Sequence, residues 1–452
     1  MEILRTRAYL RLLLIAAILG VPISALAYGF LKLSAVLQKW TYTQLPGHLG
    51  FDRPPWWWPI PLLMIAGLLV GLLIGHLPGR GGHSPADGFK AGGPPPTPAD
   101  MAGIALAALV TLGLGAVLGP EAPLIALGAG LAAWAVHLAN RGAPEQAVMT
   151  IAAAGSFAAI ATLMGSPLLG AFLLMEASGL AAGLLDVVLL PGLLSAGIGA
   201  LVFVGLHNWT GFGTFSLALP GLPDVGPPSI AQFGWAIVIG LLAPAVATAV
   251  RRLALFLRPT VERHLVVLTP VVGLGIAALA IAYSEITGKG TADVLFSGQD
   301  QLGPLLANGA DYTAGALVLV LACKGLAYGA SLAAFRGGPV FPSMFLGAAG
   351  GMALSHAPGL PMVTGAAMGI GAMSAAMLRL PLTAVLLATV LLFSEGLEVT
   401  PLVIVAVVVS HVMTARLSPR PAAPARPVPA DAPAQTPGKG PPAPSSARMG
   451  RP

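Results

Sequence analysis

Residues 109–136 read LVTLGLGAVLGPEAPLIALGAGLAAWAV, and Glu121 is the only charged residue between Asp100 and Arg141. The pentapeptide GPEAP at 119–123 places one carboxylate, flanked by Pro120 and Pro123, inside a long apolar, glycine-rich run. An ionisable group in such a run is expensive to bury in a bilayer, which makes a functional role its default reading.

The surroundings support a membrane setting. The 452-residue chain is 56% hydrophobic and 9% charged, with mean hydropathy +0.85, whereas soluble domains carry about 25% charged residues. Apolar runs near the roughly 20 residues needed to cross a bilayer begin around Tyr9, Trp58, Ile104, Ala147, Val187, Phe233, Leu265, Ala314, Met362 and Leu402. Strand-like alternation is absent, so the expected fold is an all-α polytopic membrane protein. The start, MEILRTRAYLRLLLIAAILGVPISALAYG, imitates a signal peptide. Its apolar pattern continues past the ALA that precedes Tyr28, which reads as a retained first helix. The single cysteine, Cys323, excludes an intramolecular disulfide and a cysteine-based metal cluster.

The net charge of +6 gathers near the ends: Arg5, Arg7 and Arg11 on one side, Arg416, Arg420 and Arg426 on the other. By the positive-inside tendency both termini are expected in the cytoplasm of a multi-pass cell-membrane protein. No basic patch with interleaved aromatics accompanies these charges, so nucleic acid is not an expected partner. The segment 418–452 is rich in Pro and Ala without an apolar face and is expected to be disordered, with no regulatory domain following the membrane part of 1–417.

The chain also repeats itself. GPEAPLIALGAG at Gly119 pairs with GPVFPSMFLGAAG at Gly338, an offset of 219, and SPLLGAFLLMEA around Pro167 pairs with LPLTAVLLATVL around Pro381, an offset of 214. Two matches in one order at nearly one offset argue for homologous halves, about 9–210 and 230–415. Paired Gly/Pro-interrupted segments mark the substrate site of many transporter folds. A proline near the first helical position suits a loop entering a helix. The next amides, Glu121 and Ala122 in one half and Val340 and Phe341 in the other, then become unpaired donors at a positive helix end, an anion site. Neutral backbone donors hold an ion without trapping it. A carboxylate at such a place occupies the position of a permeant anion and vacates it when protonated or swung aside. Capping of its own helix is the plain alternative for Glu121.

A third break, PGRGGHSPADGFKAGGPPP at 78–96, reads as another loop leading into a helix, with Gly82, His83 and Ser84 as anion-binding candidates. A metal site of His83 with Asp87 and His76, and a plain surface loop, are the competing readings. Lys324 and Arg336 either add positive potential to an anion path or snorkel to an interface. No nucleophile with its base, nucleotide loop or zinc motif is present, so neither enzymatic chemistry nor a cofactor is expected.

GPEAP at 119–123 is similar to the G-[RK]-E-G-P motif of the CLC chloride channels and chloride/proton antiporters. GGPVFP at 337–342 resembles their G-G-x-F-x-P motif, and GGHSP at 81–85 stands where their G-S-G-I-P motif would. The resemblance covers about 10–415. It implies a CLC-type fold of two inverted-topology repeats of tilted and broken helices, in a homodimer with an anion pathway in each subunit. Glu121 matches the family's external gating glutamate, and the amides after Gly119 and Gly338 match its anion-coordinating segments. The pattern is not kept throughout. The family's anion-coordinating serine corresponds to Gly82, with Ser84 two residues on. Pro120 and Pro339 replace residues whose N–H serves the anion. Glu176 matches the first of two adjacent glutamates, a possible proton relay, while Ala177 replaces the internal proton-transfer residue. The carboxyl-terminal helix with the coordinating tyrosine has no counterpart. The expected function is transport of chloride, through a channel or loosely coupled path. A chloride/proton antiporter, or transport of fluoride, nitrate or a small organic anion on the same fold, are the alternatives.

Overall fold

The glycines decide how closely the helices pack, and they do so twice. The computed structural model describes residues 6–178, 182–211, 226–392 and 396–418; the remainder, including the tail from 419 onward, lies outside the described residues. The first half contains α1 (Arg7–Lys39), a short α2 (Leu45–His48), α3 (Pro59–His76), α4 (Pro98–Gly113), α5 (Glu121–Ala139), α6 (Glu145–Met164), α7 (Pro167–Ser178) and α8 (Ala182–Thr210). The second contains α9 (Ile230–Arg263), α10 (Leu265–Thr287), α11 (Gln299–Ala307), α12 (Ala314–Ala334), α13 (Val340–Leu354), α14 (Met362–Leu378), α15 (Pro381–Leu391) and α16 (Gly396–Leu417). The described residues are all-α, and among them eight helical stretches are long and apolar enough to cross a membrane.

The two halves use the same packing scheme. In the first, α6 packs on α5, α7, α8 and α1; in the second, α14 packs on α13, α15, α16 and α9. Gly128 on α5 meets Gly155 on α6, and a Cβ at Gly128 would stand 2.5 Å from the Gly155 carbonyl oxygen. Gly347 on α13 meets Gly369 on α14 in the same manner. These residues are separated by the offsets of the motifs, 219 from Gly128 to Gly347 and 214 from Gly155 to Gly369. Lipid supplies little drive for helices to associate, so such backbone approaches do much of the holding.

Three helices are short, with 12 residues in α7, 15 in α13 and 11 in α15. The motif at Gly338 marks the start of α13, whereas the apolar runs mark no start at α7 or α15. At 1.5 Å per residue, 11 residues rise about 16 Å, half of an apolar layer of roughly 30 Å. Helices of this length cannot cross the layer alone; α7 packs on α6, α8 and α15, and α13 on α14 and α12. The 78–96 segment departs from the sequence expectation. It makes two single turns, Pro78–Gly81 and Pro85–Asp87, and does not lead into a helix there. Gly88, Gly92 and Gly93 have φ of +87°, +112° and +101°, and Pro94–Pro96 follow, so no helix propagates before Pro98.

Replacing Gly155 or Gly369 by Ala improves intrinsic helix propensity by about 1 kcal/mol. Each substitution is nevertheless expected to destabilise the protein by about 1–3 kcal/mol, because the new methyl meets backbone that has little room to move. Thermal unfolding in detergent reads the sign directly.

Candidate anion site

The N-termini of α5 and α13 meet head to head. The Gly119 N–H donates to the Gly338 carbonyl at 2.8 Å, and the Gly338 N–H donates to the Gly119 carbonyl at 2.5 Å. This reciprocal pair is an antiparallel bridge, so the two motifs run in opposite directions where they touch, as inverted halves require. The helices begin one residue later than the motif suggests: Pro120 and Pro339 are caps, and Glu121 and Val340 are the first helical residues. The preceding glycines are tied to one another across the halves, so the helical turns start only beyond the prolines.

Glu121 is fully buried. Its Oε1 accepts a hydrogen bond of 2.9 Å from the Phe341 N–H, the second amide of α13. The carboxylate from one half therefore caps the helix of the other. The plain alternative, that Glu121 caps its own helix, does not contain that; the placement of a carboxylate where the Val340 and Phe341 amides await an anion does. Its Oε2 is buried and has no hydrogen-bond partner among the described residues. Gly119 and Gly338 make room for this carboxylate, because a Cβ on either would overlap Oε2.

Residues with no motif of their own hold the bridge in place. The buried Tyr328 hydroxyl, on α12, donates to the Pro339 carbonyl at 2.9 Å. The Val117 N–H donates to Ser331 Oγ on α12 at 3.1 Å, and the Arg336 N–H donates to Thr111 Oγ1 at 3.4 Å. Tyr328 was legible only as a polar aromatic in an apolar helix, and its partner lies 11 residues on, across a break in the chain.

The three motifs converge on one cavity of about 680 Å3. Gly82, His83 and Ser84 line it, with Ala122 and Pro339. Glu121, Val340 and Phe341 are not among its lining residues and lie buried beyond it. Gly82 has φ of +89°, His83 is exposed, and Ser84 is buried with its Oγ bonded to no described residue. Asp87, the metal alternative's carboxylate, is held instead by Arg258 at 2.5 Å, which also bonds Glu262 at 2.7 Å.

The other expected residues stand elsewhere. Glu176 caps α15: its carboxylate accepts from the Leu382 N–H (2.9 Å), the Thr383 N–H (2.7 Å) and the Thr383 hydroxyl (2.6 Å). Lys324 is fully buried and does not snorkel. Its Nζ donates to the carbonyls of Asp293, Val294, Leu295 and Phe296 at 2.9–3.3 Å and lies 4.4 Å from the centre of the Phe345 ring. Arg336, 7% exposed, donates from Nε to the Arg80 carbonyl at 3.3 Å and from Nη1 to the Phe335 carbonyl at 3.2 Å.

With this geometry in view, the comparisons with known proteins are decisive. A model of the voltage gated chloride channel family matches residues 86–415. The chain belongs to that family. The "Putative ion-transport protein YfeO" of Escherichia coli O1:K1 / APEC is 30% identical over 365 residues, covering 79% of this chain and 82% of that protein. The protein of the same name from Shigella boydii serotype 4 is 29% identical over the same shares. Among solved structures, a slow cyanobacterial Cl−/H+ antiporter superposes with a TM-score of 0.73 at 19% identity, covering 91% of this chain and 96% of that one. A CLC-type fluoride/proton antiporter gives 0.68 at 20% identity, covering 89% and 95%. The fold is thus the CLC fold, and the family's anion transport is the coarse function of this chain.

Gly338 has no left-handed φ, so Ala fits its backbone, and the three atoms nearest to a methyl there all belong to the Glu121 side chain. Gly338→Ala is expected to lower unfolding stability by about 1–3 kcal/mol. In a Glu121→Gly background the same substitution is expected to cost much less, a coupling of about 1 kcal/mol or more in a double-mutant cycle. Additive effects would separate Glu121 from Gly338.

Proposed function

We propose that the chain moves a small inorganic anion, chloride foremost, across the cell membrane, through a pathway lined by helix N-termini and gated by Glu121. The observation that carries this reading is the hydrogen bond from the Phe341 N–H to Glu121 Oε1. A carboxylate oxygen and a halide are both acceptors for a first-turn amide. While Glu121 is ionised it fills that place. Protonation removes the charge that the helix end attracts, and the place becomes available to the permeant ion. Ala122 and Val340 supply further first-turn amides, and Ser84 supplies a buried hydroxyl near the Gly82 position where the family's serine is missing. By the resemblance to the family the working unit is a homodimer with one pathway per subunit, and the arginines at both ends favour cytoplasmic termini.

Transport is channel-like or loosely coupled to protons in this reading. Ala177 offers no internal proton acceptor, and the Glu176 carboxylate already accepts three hydrogen bonds at α15. The second reading is anion/proton exchange, favoured by the proton antiporters among the proteins that share this fold.

Chloride efflux from liposomes holding the purified chain tests both. Wild-type efflux is expected to rise as pH falls, and Glu121→Gln to hold efflux near its acid level at every pH. If Glu121→Gln keeps the wild-type pH profile, Glu121 is a structural cap. Proton uptake driven by a chloride gradient, at a fixed ratio to chloride and abolished by Glu176→Gln, would favour the exchange reading.

A further inference from the structure

Lys324 is a fully buried cation to which the transport reading gives no task. Its Nζ sits in a cage of four consecutive carbonyls, 293–296, closed on one side by the Phe345 ring. Carbonyl dipoles and the aromatic face replace the water that a buried ammonium gives up. The Asp293 carboxylate faces Lys324 but forms no ion pair with it. That carboxylate accepts instead from the Tyr283 and Tyr312 hydroxyls, at 3.0 and 3.1 Å. The cage is therefore backbone, and what Lys324 fixes is the course of the chain at 293–296.

That course is an unusual one. Phe296 is buried with φ of +60°, a left-handed conformation that a bulky side chain keeps only where its neighbours over-determine it. Three neighbours do so. The Phe296 carbonyl accepts from Lys324 at 3.3 Å, its N–H donates to the Gly115 carbonyl at 3.2 Å, and its ring meets Tyr42 edge-on with centroids 4.9 Å apart. Tyr42 in turn donates to the Leu114 carbonyl at 2.9 Å, and Gly115, with φ of +105°, leaves that hydroxyl its space. Residues 114–118 lead directly to Gly119 and Glu121.

The other end of the segment rests on α13. Gly298, with φ of +90°, lies so close to Phe345 that a Cβ there would come within 2.8 Å of it. Phe345 stands one turn beyond Phe341, whose N–H binds Glu121. Segment 293–298 thus joins both partners of that hydrogen bond: the chain that carries Glu121, through Phe296, and the helix that carries Phe341, through Gly298 and Lys324. Tyr328, one turn after Lys324 on α12, faces Glu121, and its hydroxyl is committed to the Pro339 carbonyl.

We propose that Lys324 is a positioning residue of the gate: by holding segment 293–298 against both elements, it sets the Glu121 carboxylate on the Phe341 N–H and so determines how readily chloride displaces it. The proposal rests on the reading of Glu121 as the gate and adds the part that aligns it.

Chloride efflux from liposomes holding the full chain is measured against pH for wild type, Lys324→Met, Glu121→Gln and the two substitutions combined. Met keeps most of the apolar stem of Lys and removes the ammonium. With the carboxylate less firmly seated, Lys324→Met is expected to raise efflux at neutral pH, relative to the same protein's acid level, by about threefold or more, the coupling of groups in one network. In the Glu121→Gln background the same substitution is expected to leave that ratio unchanged. A wild-type ratio in folded Lys324→Met, or an equal change with and without Glu121, overturns the proposal and leaves the gate reading standing. If Lys324→Met fails to fold, as judged by thermal unfolding in detergent, Phe345→Leu takes its place. It keeps the cage and removes the ring between the cage and α13; the same rise is expected, and an unchanged ratio overturns the proposal. If wild-type efflux does not depend on pH, the gate reading itself fails, and the proposal with it.

Discussion

Two helix N-termini are held head to head by the reciprocal hydrogen bonds of Gly119 and Gly338, and the rest of the structure is arranged around that contact. Each terminus carries unpaired N–H groups and the positive end of a helix dipole, so bringing two together is electrostatically unfavourable. A negative charge between them offsets the cost. Glu121, rooted on α5, places its carboxylate there and accepts from the Phe341 N–H of α13. Anything larger than glycine at 119 or 338 would remove the space for this carboxylate. The bridge, the glycines and the glutamate thus form one device.

The neighbouring parts serve to fix that device. α12 anchors the approach to both motifs, through Tyr328 on Pro339 and Ser331 on Val117. Lys324, on the same helix, gathers four carbonyls of residues 293–296 and lies against Phe345 of α13. A buried ammonium without a carboxylate is tolerable because carbonyl dipoles and an aromatic face replace its water. Ala122 lines the cavity while Glu121 does not; the Glu121 carboxylate is buried instead against the first turn of α13.

Much of this was legible in the sequence, for physical reasons that can be named. Apolar runs of bilayer length identify long helices such as α6 and α10, and the offsets of 219 and 214 reveal the halves. Glu121 stands out because a lone carboxylate in an apolar run is costly. The short helices α7 and α15 were harder, since a half-crossing looks like part of a longer apolar run, whereas the GPVFP motif marked the start of α13. The 78–96 loop misled because Ser84-Pro85 resembles a helix start, whereas the positive-φ glycines downstream forbid one. Other partners distant in the sequence were out of reach. Glu176 with Thr383 and Tyr328 with Pro339 depend on where elements meet, and no local spacing encodes that.

The central claim is that the Glu121 carboxylate stands in the place of an anion at the N-terminus of α13. Anomalous scattering from crystals grown in bromide tests it most directly, comparing wild type at neutral pH with Glu121→Ala. The account predicts a bromide peak within hydrogen-bond distance of the Phe341 N–H in the Ala variant, and none there in wild type. If that amide remains without bromide in Glu121→Ala, or if wild type already holds bromide there beside the carboxylate, then Glu121 does not substitute for the ion.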